Sequence, residues 1–308
     1  MKSNTTCYNK VKKDCFKFIK LQETSKEKFK NKEKMIKSFL IPVSFWIASK
    51  VKNKKPFIVG LGGGQGAGKT TITSIISIVL KKYFKLSVFK ISIDDFYKTR
   101  KERFLLSKKL HPLLMTRGVP GTHDINFILD FFKKVKNNKF KSLKLPKFNK
   151  AIDDRCKKKL WYSIKKRPDV IIFEGWCVGA RAEKNNTLKK AINSLEKIDD
   201  IKLIWRKFVN QQLKSKYKKL YNQLNCLLYL KVNNFSLLQK WRLKQERKLW
   251  LKNKKMSNNK IMSKKEVSRF MQTYQRVTKN MLKGAPKYAS IIFNLNSNQQ
   301  IKSVIYKK

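Results

Sequence analysis

The sequence predicts an α/β fold around a five-stranded, mostly parallel sheet with helices on both faces. Three observations carry this expectation. Five short apolar runs alternate with stretches whose apolar residues recur at helical spacing, and parallel neighbours need such crossovers. The third run, "DVIIFEG" at 169–175, is almost wholly apolar, as a strand covered on both faces must be. The first run stops at a glycine cluster that opens directly into a helical pattern.

In chain order, residues 1–32 are polar, strongly basic and weakly periodic, and read as a loosely ordered arm. A single domain is expected over 33–308, since no internal repeat or Gly/Ser linker divides it. Met35, Ile36, Phe39, Leu40, Phe45 and Trp46 predict a helix over 33–50, interrupted or re-aimed at Pro42. "PFIVGL" (56–61) is the first strand, and Ile72, Ile75, Ile76, Val79 and Leu80 mark the helix after it. "SVFKISI" (87–93), "DVIIFEG", "NCLLYLKV" (225–232) and "ASIIFNL" (289–295) supply the other strands. Further helices are expected over 208–223, 235–251 and 264–282.

At 308 residues, with 41% hydrophobic content, the chain can fill a real core. Its net charge of +56 has two readings. One is attraction to polyanions, nucleic acid above all. The other is lysine-rich composition spread over the whole length, without the clustering that a binding stripe requires. The five cysteines (Cys7, Cys15, Cys156, Cys177, Cys226) lack disulfide-framework or zinc spacing, which fits a reducing compartment. The apolar run "FLIPVSFWIA" (39–48) is about half a membrane span and contains a proline. No secretory leader is apparent, and Glu23, Glu27 and Glu33 count against a transit peptide, so a cytoplasmic location is expected, an organelle stroma being the alternative.

"GGQGAGKT" (63–70) fits G-x-x-x-x-G-K-[ST] between a strand and a helix, where its physics needs it. Its backbone N–H groups can close around a phosphate, and the helix start adds positive potential. Gly63, Gly64, Gln65, Gly66, Ala67, Gly68, Lys69, Thr70 and Thr71 are the expected nucleotide-binding residues. Lys69 would reach the β/γ oxygens of ATP, and Thr70 would place its hydroxyl on Mg²⁺. Two strand ends then carry carboxylates: Asp94 and Asp95 in "SIDDFY", and Glu174 in "IIFEGW". Phosphoryl transfer asks a protein for metal placement, charge neutralisation and a base that orients the attacking hydroxyl, and two acidic positions suit those tasks. Capping of the following helix is the competing role for one of the aspartates.

With "GGGQGAGKTT", "SIDDFY", "HPLLMTRGVPGTHD", "LPKFNKAIDDR", "FEGWCVGA", "WRKFVN" and "WRLKQE" in place, residues 35–297 resemble the D-glycerate 3-kinases of plants, fungi and bacteria. These are P-loop kinases related to phosphoribulokinase, uridine kinase and pantothenate kinase. The resemblance implies a three-layer P-loop NTPase fold with a kinase-type lid. It also implies transfer of the ATP γ-phosphoryl group, with Mg²⁺, to a hydroxyl of D-glycerate, giving 3-phosphoglycerate. It assigns Asp94 as base, with Asp95 as competitor, and Glu174 to Mg²⁺ and the reacting phosphate. Arg242 and Arg247 fall where related kinases carry a basic lid, although helix-surface charges would look the same. "TYQRVTKNM" (273–281) departs from the family, with Gln275 and Lys279 where Glu and Arg are expected.

The stretch 111–124 escapes the lysine-rich background, and a hydroxy-acid kinase gives it a use. Arg117 could grip a carboxylate bidentately, and His123 and Asp124 could bond hydroxyls. Gly118, Pro120 and Gly121 would fix an unusual backbone path. Asp153, Asp154 and Arg155 form a second candidate wall, whereas His111 reads as shaping a turn. The expected partner is therefore a small molecule. Another hydroxylated metabolite or a nucleoside is one alternative acceptor, and a nucleic-acid-stimulated ATPase is an alternative function.

Overall fold

The structure is a computed structural model that describes residues 2–24, 28–52, 55–137, 140–252 and 262–307. It begins with α1 (Lys2–Gln22), α2 (Lys32–Lys34), a π turn over Met35–Leu40, and α3 (Ile41–Lys50). The irregularity expected at Pro42 is that π turn: a proline cannot donate the next helical bond, and a wider turn ahead of it absorbs the loss. Then come β1 (Phe57–Gly63), α4 (Lys69–Lys82), β2 (Val88–Ser92), α5 (Arg100–Lys109) and α6 (Ile125–Lys136). Two small antiparallel pairs follow, formed by β3 (Leu143–Leu145) with β6 (Tyr162–Ile164) and by β4 (Phe148–Asn149) with β5 (Asp154–Arg155). The chain continues through β7 (Val170–Gly175), α7 (Ser194–Ile198), α8 (Ile204–Gln212), α9 (Lys218–Tyr221) and β8 (Cys226–Lys231). It closes with α10 (Phe235–Lys252), α11 (Lys264–Tyr288), β9 (Ile291–Leu295) and β10 (Ile301–Tyr306).

The main sheet has six strands in the order β10-β9-β8-β1-β7-β2, one more than expected. The five expected strands are parallel, and the addition, β10, pairs antiparallel with β9 at the edge. Strand alternation sorts the core into two layers. Val59, Leu61, Ile172, Leu228 and Phe293 face α1, α3 and α4, while Ile58, Ile171, Phe173, Leu227 and Ile292 face α6, α8 and α11.

Residues 2–22 correct the expectation of a loose arm, because they form a 21-residue helix packed on α4. Cys7, Val11, Cys15 and Ile19 recur every fourth residue and are fully buried, a narrow apolar stripe on an otherwise lysine-rich helix. Capping boxes start two later helices, Thr99 with Glu102 for α5 and Ser263 with Glu266 for α11. No described helix is long and apolar enough to cross a membrane.

Candidate active site

Parallel register brings the expected chemistry to one edge of the sheet. Leu61 of β1 and Ser92 of β2 both pair with Glu174 of β7, so the glycine loop, the Asp94–Asp95 turn and Glu174 leave the sheet side by side. This is the carboxyl edge, where open α/β sheets hold ligands. A separate cavity of about 930 Å³, lined by Arg181, Lys218, Tyr221 and Tyr288, also touches Asn225 and Cys226 at the opposite end of the strands.

The loop 63–70 turns with positive φ at Gly63, Gly66 and Gly68. At Gly66 (φ 76°) a side chain would also meet the Trp241 Cβ of α10, so glycine is required twice over. Ala67 is buried in the core, and the Thr71 N–H donates to the Gly68 carbonyl. The Lys69 ammonium donates to the carbonyls of Gly63 (2.9 Å) and Gly64 (3.0 Å), which aims it across the mouth of the loop. Burial lowers its pKa, with the charges of Glu174 and Asp94 opposing that shift.

Thr70 Oγ1 donates to Glu174 Oε1 at 3.1 Å. The other Glu174 oxygen is buried without a hydrogen-bond partner, and so is Gln65 Oε1. Burial raises the Glu174 pKa, against the pull of Lys69 and Thr70. A hydroxyl, a carboxylate with an unspent oxygen and a glycine cradle with an ammonium across it fit a magnesium–nucleotide pair, since Mg²⁺ takes few protein ligands beside phosphate oxygens.

The two aspartates separate in environment. Asp94 accepts from the Tyr97 hydroxyl (2.8 Å) and from the Lys150 ammonium (2.7 Å). Burial works against its charge, yet Lys150 first, then His123 and Tyr97, outweigh burial and hold its pKa at about 2. Asp95 points to the β4 side and accepts the Phe148 N–H at 3.3 Å. Burial, reinforced by the Asp94 charge and only partly offset by that N–H, pushes its pKa up to about 6.

The unusual loop lies against this turn. Its His123 is buried, stacks on Tyr97 with ring centroids 4.6 Å apart, and shares a 2.6 Å hydrogen bond between Nδ1 and the Tyr217 hydroxyl. His123 Nε2 is buried without a partner, and burial drives the ring pKa down to about 4, so the imidazole is neutral near pH 7. Gly118 (φ 130°) packs so tightly on the Tyr274 hydroxyl that no side chain fits, and its carbonyl accepts from Trp176 Nε1 at 3.0 Å. Gly121 (φ 105°) donates to Tyr217, and Pro120 is buried beside it.

The expected polar residues of the acceptor walls are paired with one another. Arg117 is ion-paired with Asp153 and lies over the Phe148 ring. Asp124 caps α6 and pairs with Arg155 at 3.1 Å, while Arg155 Nε reaches the Tyr97 carbonyl at 2.8 Å. Asp154 accepts the Arg100 N–H at 3.2 Å. On α10, Arg242 is held by Glu246 at 2.7 Å next to Gly66, and Arg247 is exposed. His111 caps a short 3₁₀ turn, donor and acceptor both spent on backbone, as its turn reading expects. Gln275 receives a bond from Asn193 (3.0 Å), and its neighbour Arg276 is buried against Glu196.

Sequence reasoning missed Tyr97, Lys150, Tyr217 and Tyr274. Tyr97 was within reach, as the last residue of "SIDDFY". Lys150 is one lysine among many, and only its 2.7 Å contact with Asp94 distinguishes it.

No family model matches the chain. The uncharacterized kinase mug58 of Schizosaccharomyces pombe is 31% identical over 229 residues, covering 71% of this chain and 79% of that protein. The chloroplastic D-glycerate 3-kinase of Arabidopsis thaliana is 28% identical over 255 residues, 77% of this chain but only 52% of that protein, so the chain spans about half its length. Among solved structures, D-glycerate 3-kinase from Cryptococcus neoformans var. grubii superposes with a TM-score of 0.71 at 23% identity, covering 89% of this chain and 98% of that one, a likeness of fold. With an intact phosphate loop at the carboxyl edge of a mostly parallel sheet, and with similarity to D-glycerate 3-kinases, the chain belongs to the same family of P-loop kinases as mug58 and is an ATP-dependent phosphotransferase.

Proposed function

We propose that the protein transfers the γ-phosphoryl group of ATP to a hydroxyl of D-glycerate, giving 3-phosphoglycerate. The observation that carries the reading is the meeting of Lys69, Thr70, Glu174 and Asp94 at one sheet edge, beside a buried imidazole with a free nitrogen. Residues 63–71 would cradle the triphosphate, and Thr70 with Glu174 would hold Mg²⁺ against it. Bound there, the ion would supply neutralising charge for the phosphate oxygens. Lys69 adds its own charge on the same side. Asp94 would take the proton of the attacking hydroxyl, and the neutral His123 Nε2 would bond a hydroxyl of the acceptor. Asp95 is the weaker candidate for the base because its carboxylate faces the β4–β5 hairpin rather than the loop. The Arg117–Asp153 and Arg155–Asp124 pairs support the acceptor wall by fixing its backbone.

The test is purified protein with ATP and Mg²⁺, offered D-glycerate, L-glycerate, uridine and pantothenate, with phosphorylated products identified by mass. Product should appear with D-glycerate. Product with uridine or pantothenate in its place would keep the kinase chemistry and change the acceptor, and hydrolysis of ATP stimulated by RNA or DNA, with no acceptor used, would overturn the reading.

A further inference from the structure

We propose that Lys150 is the cation that recognises the acidic end of the acceptor, and that the acceptor's carboxylate frees Asp94 by taking its place on the Lys150 ammonium. The inference rests on the hydroxy-acid kinase reading of the site.

Its starting point is a base that is fully occupied. Both Asp94 oxygens accept hydrogen bonds, one from Tyr97 and one from Lys150, and the carboxylate is held far more acidic than usual. A carboxylate in that state is a poor proton acceptor, because Brønsted behaviour ties general-base strength to pKa. Something must loosen it before it can take a hydroxyl proton.

Four neighbouring cations are spent in other ways. Arg103 is wholly buried on Asp153 and three backbone carbonyls, Arg117 pairs with Asp153, and Arg155 pairs with Asp124. Lys69 is turned to the carbonyls of the phosphate loop. Lys150 differs from all of them: its side chain is 62% exposed, its salt-bridge partner is Asp94 itself, and its ammonium can rotate toward an incoming anion.

Its backbone, by contrast, is fixed. The β4–β5 turn is pinned at Asp153 (φ 57°) by Arg103 and Arg117, at Ala151 by the Asn149 side chain, and at Phe148 by Asp95. The hairpin therefore delivers a mobile charge from a rigid base to a point within bonding distance of Asp94.

An acceptor carboxylate on Lys150 exchanges one ion pair for another. Asp94 keeps the Tyr97 hydroxyl and gains the capacity to bond the acceptor's hydroxyl. As the acceptor oxygen bonds to the γ-phosphorus and the bond to the ADP oxygen breaks, the hydroxyl proton passes to Asp94, while the acceptor carboxylate stays ionised on Lys150. A neutral alcohol of the same shape cannot displace Asp94 and meets a masked base. Discrimination for acidic acceptors is thereby built into the activation of the base.

The experiment compares the wild type with K150M and K150R, using D-glycerate and glycerol, which lacks the carboxylate. In K150M, kcat/KM for D-glycerate should fall on the order of 100-fold, mostly through KM, as expected on removing one partner of a charge pair. The constant for glycerol should hold or rise, so the preference for glycerate collapses, while KM for ATP stays within about twofold, which also reports an intact fold. K150R should restore part of the preference. An unchanged glycerate-to-glycerol ratio in K150M would overturn the inference alone. Absence of glycerate-dependent product in the wild type would overturn the functional reading, and this one with it.

Discussion

At the scale of single residues, burial pulls Asp95 and His123 in opposite directions. His123 titrates at about 4 in the fold, below its ordinary value near 6.5. As pH falls from about 6.5 to about 4, the unfolded chain takes a proton the fold refuses, and stability is lost. Asp95 titrates at about 6, above its ordinary value, so between about 6 and 4 the fold takes a proton sooner than the unfolded chain and stability is gained. The two contributions oppose each other in one window. Unfolding free energies from urea titrations at pH 7 and 4.5 should therefore fall more steeply with acid in D95N than in the wild type, and less steeply in H123Q, each by on the order of 2 kcal/mol. Equal slopes in all three proteins would refute the environments described. Arg117 offers a second check. Because it pins the hairpin through Asp153, R117A should raise the acceptor KM far more than that for ATP, and equal changes would remove it from the acceptor side.

At the scale of elements, the parts legible in the sequence were those whose pattern is local and dense. The phosphate loop and the five parallel strands declare themselves through a fixed spacing and through apolar runs covered on both faces. Helix α1 did not, because its buried stripe uses one residue per turn and two of the four are cysteines, scattered among lysines. Strand β10 was missed because an edge strand such as "IKSVIY" is half exposed and lacks a continuous apolar run. The walls of the acceptor site were legible as a place and not as contacts: Arg117, Asp124 and Arg155 were read as ligand-facing, and which partner each charge chooses depends on residues 31 to 36 positions away. The α1 finding is directly testable. Ile19 is fully buried, so I19A should cost about 2–5 kcal/mol in chemical denaturation, whereas a loosely attached arm would show no change.

At the scale of the whole molecule, the net charge of +56 and the kinase site answer different questions. Any binding of nucleic acid to so basic a chain would run through counterion release, with an affinity that drops steeply as salt rises. The kinase account predicts that this binding, followed by anisotropy with an oligonucleotide, leaves acceptor-dependent turnover unchanged at moderate salt. Stimulated ATP hydrolysis would favour the nucleic-acid reading. What unites the fold is that β1, β2 and β7, in parallel register, deliver a phosphate loop, a carboxylate turn and Glu174 to the same edge. The most direct test of the claim that this edge performs phosphoryl transfer with Asp94 as base is the turnover of D94N beside D95N, with ATP, Mg²⁺ and D-glycerate. The account predicts a loss of roughly 10²- to 10⁴-fold in D94N and a far smaller one in D95N. Normal turnover in D94N, with the loss appearing in D95N, would contradict it.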